Sequence, residues 1–398
     1  MPTDQLAALL APMGADRFFA RHFARRRLVL QDRDSQVYAG LPSIDEFERL
    51  LASLTSAQAG WFSVVKVKAR PPDDAMVTAD GVLDLSQVVD AYRAGHSLLL
   101  NQVQHRHRAT AVLCRGLEEA LVERGVMLGR HIGANAYLSP PRSQGFSIHY
   151  DPHDVFILQL AGHKVWRLYR QHVRFPTAPP PTPFSPAEAG PLERELTVGP
   201  GDLLYLPRGV LHEARTTDEA SLHLTLSIEV MTWRDLFRDL ATADPRLGEG
   251  LPIGFARNGR LSVADRRHIL ARARALASSR ALPATVEALE GRLLADLVPL
   301  PSGGLARVTD AAAIDAETPL RLVDGALAHV RVRGDAAHLR LVGATFRGER
   351  AMAAAFRVLA RGEPFCAAAL PIDVSAAEKL AFVRELYAGG HLIRVAPP

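Results

Sequence analysis

Two histidines and an aspartate are the side chains of this chain whose types and spacing best suit chemistry. His149 and Asp151 form an H-x-D pair at the head of FSIHYDPHDVFILQLAGHKVWRLY, residues 146–169, which reads as two strands joined by a tight turn. Along a strand, residues i and i+2 point to the same side, so this imidazole and carboxylate would face one enclosure together. A third candidate, His212, lies 63 residues beyond His149 in GDLLYLPRGVLHEA, where Gly201, Pro207, Gly209 and His212 give the spacing G-x5-P-x-G-x2-H. A strand from Leu203 to Leu206 that runs into a Pro–Gly corner would reverse the chain and aim His212 inward. Two imidazoles and one carboxylate are the facial triad that holds non-haem Fe(II) and leaves coordination positions open, as oxygen chemistry requires.

A single histidine in a strand is ordinarily a satisfied core or surface residue, and His153, His163, His172 and His223 are read that way. An isolated H-x-D is also weak. The conjunction of that pair with a distal histidine on a defined corner is what points to a metal. Lys164 follows Asp151 by 13 residues, just past the Ala161–Gly162 turn, and alternation places it on one face with Trp166 and Leu168. A lysine at a hairpin tip is by default solvated; one sharing a face with Trp and Leu points inward, where it could hold the far end of a dicarboxylate. Asn135 and Tyr137 alternate on ANAYLSP and could face the same cavity, and Ser227 closes HLTLS with a weaker claim. Asp154 and Glu213 flank the ligands, with no indication of which way they face.

These residues need a β-rich scaffold, and the chain supplies one. From about Gly133, short segments punctuated by Gly and Pro (ANAYLSP, FSIHYD, DVFILQLAG, HKVWRLYR, RELTVGPGDLLYLPRGVLHEART, SLHLTLSIEV) predict an antiparallel sandwich or jelly roll. Residues 176–191 hold seven prolines and no periodicity, which predicts a loop or flap. The first 60 residues read as helical, including DQLAALLAPMGADRFFARHFARRRLVL and a helix with a capping-box pattern at Ser43 and Glu46. FSVVKVKA reads as a strand, LDLSQVVDAYRAGHSLLLNQV as a helix feeding a strand, and TAVLCRGLEEALVERG as a helix. After Val230 amphipathic helices return, the second opening at Ser262. A linker-like break follows at 299–306, then a hairpin turning at Gly334–Asp335 and the helices RGERAMAAAFRVLARG and SAAEKLAFVRELYAGG, with a last strand HLIRVA.

Length and composition bound the rest. At 398 residues, 48% hydrophobic, the chain suits two or three globular units. Its two cysteines are far apart and outside any C-x-x-C pattern, which argues against a disulfide framework and fits a reducing cytoplasm. No stretch approaches the ~20 apolar residues of a membrane span, and the N-terminus lacks the features of a signal peptide. A net charge of +4 permits a nucleic-acid partner without demanding one, and no Arg/Lys stripe stands out in the sequence.

NAYLSPPRSQGFSIHYDPHDVFILQLAGHKVWRLY together with GDLLYLPRGVLHEA resembles the Jumonji-C oxygenases of the ribosomal-oxygenase type, over roughly residues 100–232 and more loosely beyond. The resemblance implies an α+β chain: a double-stranded β-helix (cupin-type) core at about 100–232 within a catalytic domain 1–232, a helical dimerisation segment 233–300 and a winged-helix-like domain 301–398. It implies Fe(II) at His149, Asp151 and His212, with 2-oxoglutarate as cosubstrate anchored by Lys164 near Asn135, Tyr137 and Ser227, and O2 as oxidant. The implied reaction hydroxylates a histidine or arginine side chain of a ribosomal protein; Lys164 and N-x-Y at 135–137 look more like the histidyl branch. Two other readings stand beside it. One is the same chemistry on a peptide natural-product precursor, a small molecule or a methylated side chain. The other is a non-catalytic cupin-like binding protein or a DNA-binding regulator.

Overall fold

A computed structural model describes residues 5–54, 61–67, 76, 83–256, 259–297, 304–323 and 325–395. The end of the FSVVKVKA segment and most of the expected 299–306 break lie outside these residues. The chain forms two compact units, Met1–Arg124 with His131–Glu229, and Gly125–Arg130 with Val230–Pro398.

The first unit opens with helices α1 (Gln5–Leu10) and α2 (Ala15–Arg21), strand β1 (Leu28–Leu30), helix α3 (Ile44–Ala52), strand β2 (Phe62–Val65), helix α4 (Leu85–Arg93), strand β3 (Ser97–Leu100) and helix α5 (Arg108–Glu123). It continues through β4 (Gly133–Ser139), β5 (Asp154–Ala161), β6 (Lys164–Gln171), a single turn α6 (Pro186–Ala189), β7 (Leu192–Val198), β8 (Leu203–Leu206), β9 (Val210–Thr216) and β10 (Ser221–Ile228). Two antiparallel sheets result: seven strands in the order β1-β8-β5-β10-β4-β3-β2, and three in the order β7-β6-β9. Their inner faces meet in a core of Val155, Ile157, Trp166, Leu168, Leu196, Val198, Leu204, Leu206 and Val210, the jelly-roll arrangement that the strand series predicts. Each such aliphatic side chain, fully buried, contributes about 1.5–3 kcal/mol.

The unbroken apolar run in β5 has a direct cause. Val155 and Ile157 face this inner core, while Phe156 on the opposite face packs on Phe18 of α2 (ring centroids 5.4 Å apart) and on Tyr205 (5.1 Å). A strand covered on both faces has no side for a polar residue. Two expectations are corrected here. RRRLVL does not continue the N-terminal helix: Leu28–Leu30 pairs with Leu203–Tyr205 as an edge strand, because three consecutive apolar residues satisfy either period and the sheet edge offers partners. His149 and Asp151 do not sit on the strand that contains Val155, which begins at Asp154; they lie on an extended lead-in tied to β9 by an isolated bridge. At α3, Ser43 Oγ accepts from Glu46 N (3.2 Å), as expected, while the Glu46 carboxylate takes Arg49.

The second unit contains α7 (Trp233–Ala243), α8 (Val263–Ala277), α9 (Leu282–Asp296), α10 (Gly304–Asp310), strands β11 (Leu320–Leu322), β12 (Ala328–Arg333), β13 (Ala336–Leu341) and β14 (Ala344–Glu349), helices α11 (Ala353–Ala360) and α12 (Ala376–Ala388), and β15 (Leu392–Arg394). Reciprocal capping boxes start α7 (Thr232/Asp235), α8 (Ser262/Asp265) and α12 (Ser375/Glu378). The Gly334–Asp335 hairpin forms as expected, with Gly334 at φ 53°, but it belongs to a three-stranded meander β12-β13-β14. The third strand takes Arg347–Glu349, which had read as the start of a helix. Phe346 packs into the unit's core from β14, and the helix begins only at Ala353. β11 pairs with β15. No helix among the described residues is long and apolar enough to cross a membrane.

Candidate metal and cosubstrate site

His149 and His212 exchange both backbone hydrogen bonds (His149 N to His212 O, 3.1 Å; His212 N to His149 O, 2.8 Å), so their side chains leave the same face of the β ribbon. The rings lie 4.4 Å apart, and His212 Nε2 is 3.7 Å from Asp151 Oδ2. One ligand atom from each of the three residues falls within 4.8 Å of the others. Each imidazole is oriented by a backbone carbonyl two residues earlier: His149 Nδ1 lies 2.8 Å from Ser147 O, and His212 Nδ1 lies 3.0 Å from Val210 O. A carbonyl only accepts, so both Nδ1 atoms carry the proton and both Nε2 lone pairs are left for a metal. Burial first, and the neighbouring His149 second, push the His212 pKa down to about 4, which keeps its lone pair available at neutral pH.

The corner that aims His212 is clamped from both sides. Gly209 N donates to Asp151 O (3.0 Å) and Arg208 N donates to the Asp154 carboxylate (3.0 Å), which also accepts from the Tyr205 hydroxyl. Gly209 has φ +82°, and a Cβ there would lie 1.7 Å from Val173 O, so only glycine fits. Asp154 thus serves the corner. Glu213 accepts from Tyr169 (2.8 Å) and Gln144 (2.9 Å), while its neighbours His212 and Ala214 line the cavity.

The triad opens on a cavity of ≈340 Å3, within the usual range for small-molecule sites. Lys164 lies in it, 5% exposed, on the inward face of β6 as its alternation with Trp166 predicts. Its Nζ donates to Ser139 Oγ (3.1 Å), which also accepts from Ser97 Oγ (2.8 Å), and it lies 3.4 Å from His223 Nδ1. Burial pushes the Lys164 pKa down to about 7. The indole N–H of Trp166 is buried and has no hydrogen-bond partner among the described residues. A buried ammonium with no carboxylate partner among the described residues, on one strand face with an unpaired indole N–H, fits the carboxylate of a small acid, and a triad with two bare imidazole nitrogens and one carboxylate fits Fe(II).

Of the residues singled out in the sequence, His149, Asp151, His212, Lys164 and Tyr137 line one cavity. Asn135 and Ser227 lie outside its lining, although each alternates with residues that do line it; Asn135 Oδ1 accepts from Gln102 N (3.2 Å). His223 requires correction. Far from being an ordinary core histidine, it lines the cavity, 4% exposed, stacked on Tyr137 (4.6 Å, 6°). Ser97, Ser139 and Thr225 were also missed. Ser139 continues the Asn135–Tyr137 alternation and Thr225 the His223–Ser227 alternation, so strand period alone could have found them. Of the other set-aside histidines, His163 pairs with Glu219 (2.5 Å) and His172 packs edge-on against Phe184. The proline-rich segment sends Pro179, Pro180 and Pro183 into the cavity lining, which Phe146 shares.

A family model described as the JmjC domain matches residues 116–236. Human ribosomal oxygenase 1 is 35% identical over 240 residues, covering 57% of this chain and 35% of the relative. The Dictyostelium discoideum bifunctional lysine-specific demethylase and histidyl-hydroxylase NO66 is 32% identical over 237 residues, 58% of this chain and 44% of that protein. This chain therefore spans between a third and a half of the length of these curated relatives. In solved structures the fold is similar to that of the Escherichia coli ribosomal oxygenase YcfD in complex with cobalt and 2-oxoglutarate: TM-score 0.55, 18% identity, 95% of this chain and 97% of that one. Two sheets close on an H-x-D…H triad within the segment that matches the JmjC domain model, and over that region the chain is similar to ribosomal oxygenases.

Proposed function

We propose that the protein is an Fe(II)- and 2-oxoglutarate-dependent oxygenase that hydroxylates a histidine or arginine side chain of a ribosomal protein. One observation supports this above others: a triad with both imidazole Nε2 atoms free shares a cavity with a buried lysine that donates only to Ser139 and His223 among the described residues. When bound, the iron supplies activation of O2, coupled to oxidative decarboxylation of 2-oxoglutarate to succinate and CO2. The chain's own residues do the positioning. His149, Asp151 and His212 hold the metal on one face, and Lys164 takes the distal carboxylate, with Tyr137 and, further along the same strands, Asn135 and Ser227 nearby. Phe146 and the three prolines narrow the mouth and keep water from the reacting C–H bond.

The proposal extends to organisation and place: a catalytic domain 1–232, a helical segment 233–300 that makes a homodimer, a winged-helix-like domain 301–398, and a cytoplasmic location. Exposed apolar side chains in the helical segment support the dimer, among them Trp233 (74% exposed, stacked on Phe237), Ile253, Val263 and Leu270. Concentration-dependent solution scattering tests it, and a monomer at every concentration would remove the dimer. For the activity, purified protein with Fe(II), 2-oxoglutarate and O2 should form succinate, and the Lys164→Ala variant should not. Mass spectrometry of ribosomal proteins from wild-type and deletion cells should show a one-oxygen mass increase confined to the wild type. Succinate formation with no ribosomal protein modified would move the substrate elsewhere.

A further inference from the structure

The base of the cavity raises a question of donor geometry. A lysine ammonium has three N–H donors and no acceptor. Two of the three Lys164 donors are directed, one to Ser139 Oγ at 3.1 Å and one to His223 Nδ1 at the longer distance of 3.4 Å. While Lys164 is protonated it can only donate, so His223 then presents a bare Nδ1 and carries its proton on Nε2. Its ring has little freedom to do otherwise. It is 4% exposed, lies parallel to Tyr137 at 4.6 Å and stands edge-on to Trp166 at 5.8 Å and 80°. Burial, with Lys164 adding to it, holds the imidazole neutral, well below the usual histidine range.

We infer that His223 is a positioning residue: by accepting one Lys164 hydrogen opposite Ser139, it leaves a single N–H aimed into the cavity and so fits this end of the site to one acceptor oxygen of a compact carboxylate. The inference rests on the proposed reading that the cavity takes a dicarboxylate. It adds what that reading does not contain, namely that the lysine is aimed by a histidine from β10, the central strand of the seven-stranded sheet. A lysine freed of this restraint would sample other rotamers and lose part of each encounter with the acid.

Equilibrium binding of 2-oxoglutarate to the full chain loaded with Mn(II), followed by calorimetry, tests the inference without turnover. His223→Phe keeps the aromatic stack on Tyr137 and removes the acceptor, and should weaken binding by about tenfold or more, the usual effect of losing a hydrogen bond to a charged group. His223→Asn places an amide oxygen where Nδ1 was and should recover most of that loss. In the Lys164→Met background, His223→Phe should change binding little further, since the two act through one contact. Should the phenylalanine variant not melt cooperatively, His223→Leu takes its place in the same contrast with asparagine. Binding by the acceptor-less variant that matches wild type, or asparagine no better than it, overturns the inference while leaving the proposed function standing. A Mn(II)-loaded wild type that does not bind 2-oxoglutarate overturns both.

Discussion

The two ends of the cavity are built by different means. At the metal end the ligands sit on irregular backbone: a lead-in that precedes β5, and a Pro207–Gly209 corner held by Asp151 O and the Asp154 carboxylate. At the lysine end Ser139, Lys164, His223 and Thr225 project from the middle and ends of regular strands, placed by pleat and register. The metal end spends local backbone constraint to fix a donor set within a few ångströms. The lysine end relies on long-range strand pairing and accepts an isolated buried cation. The first should fail abruptly when one atom is added or removed, and the second by degrees.

Four substitutions test that contrast. The largest effect belongs to Asp151→Asn, which removes the one anionic ligand; metal affinity by calorimetry and succinate formation should fall beyond the roughly 10–100-fold typical of an outer partner. Gly209→Ala comes next. With φ +82° and a Cβ position 1.7 Å from Val173 O, the corner must move, costing about 3 kcal/mol or more in unfolding free energy and carrying His212 with it. If that variant retains wild-type stability and metal affinity, the metal end is not locally constrained in the way described.

Lys164→Met should have opposite effects on two measurements. Binding of 2-oxoglutarate should fall by about 100-fold, while the ligand-free protein gains about 1–3 kcal/mol from losing an uncompensated buried ammonium. The pH dependence follows from the same residue. The folded pKa near 7 lies below the ordinary lysine value of 10.5, so between these the unfolded chain binds more protons than the folded one. This group's contribution to stability is therefore complete above pH ~10.5 and is lost as pH falls towards 7. Ligand binding runs the other way: a carboxylate favours the charged lysine, so affinity should decline as pH rises above ~7, with proton uptake detectable in buffers of differing ionisation enthalpy. A flat profile in wild type, or one unchanged in Lys164→Met, would count against the assignment. The smallest effect is expected far from either end: Ser375→Ala, which opens the capping box of α12, should cost about 0.5–2 kcal/mol in the second unit and leave 2-oxoglutarate binding unchanged.

The contrast also explains what could be read in advance. His149, Asp151 and His212 were legible because a local ligand set has a local spacing, H-x-D and G-x5-P-x-G-x2-H. Lys164 was legible through its alternation with Trp166 and Leu168. His223 was legible only in part: alternation from Ser227 puts it on one face with Thr225, but its stacking on Tyr137 and its contact with Lys164 follow from strand pairing, with His223 opposite Tyr137 on β4. Ser97 is more remote still, reaching Ser139 only because β3 lies beside β4. The misread elements have a related cause. Leu28–Leu30 and Arg347–Glu349 are short segments whose period is ambiguous, and each became a strand because a sheet edge was present to receive it.

The chemistry this chain can support is written in its local residue order: which side chains could bind a metal, the corner that turns the third of them inward, and the β-rich stretch between them. Local spacing and alternation are properties of a few consecutive residues and survive any packing. What surrounds the lysine depends on packing across the fold, because Ser97, Ser139, His223 and Thr225 come from three strands whose order in the sheet, β10-β4-β3, is set by non-local hydrogen bonding and burial.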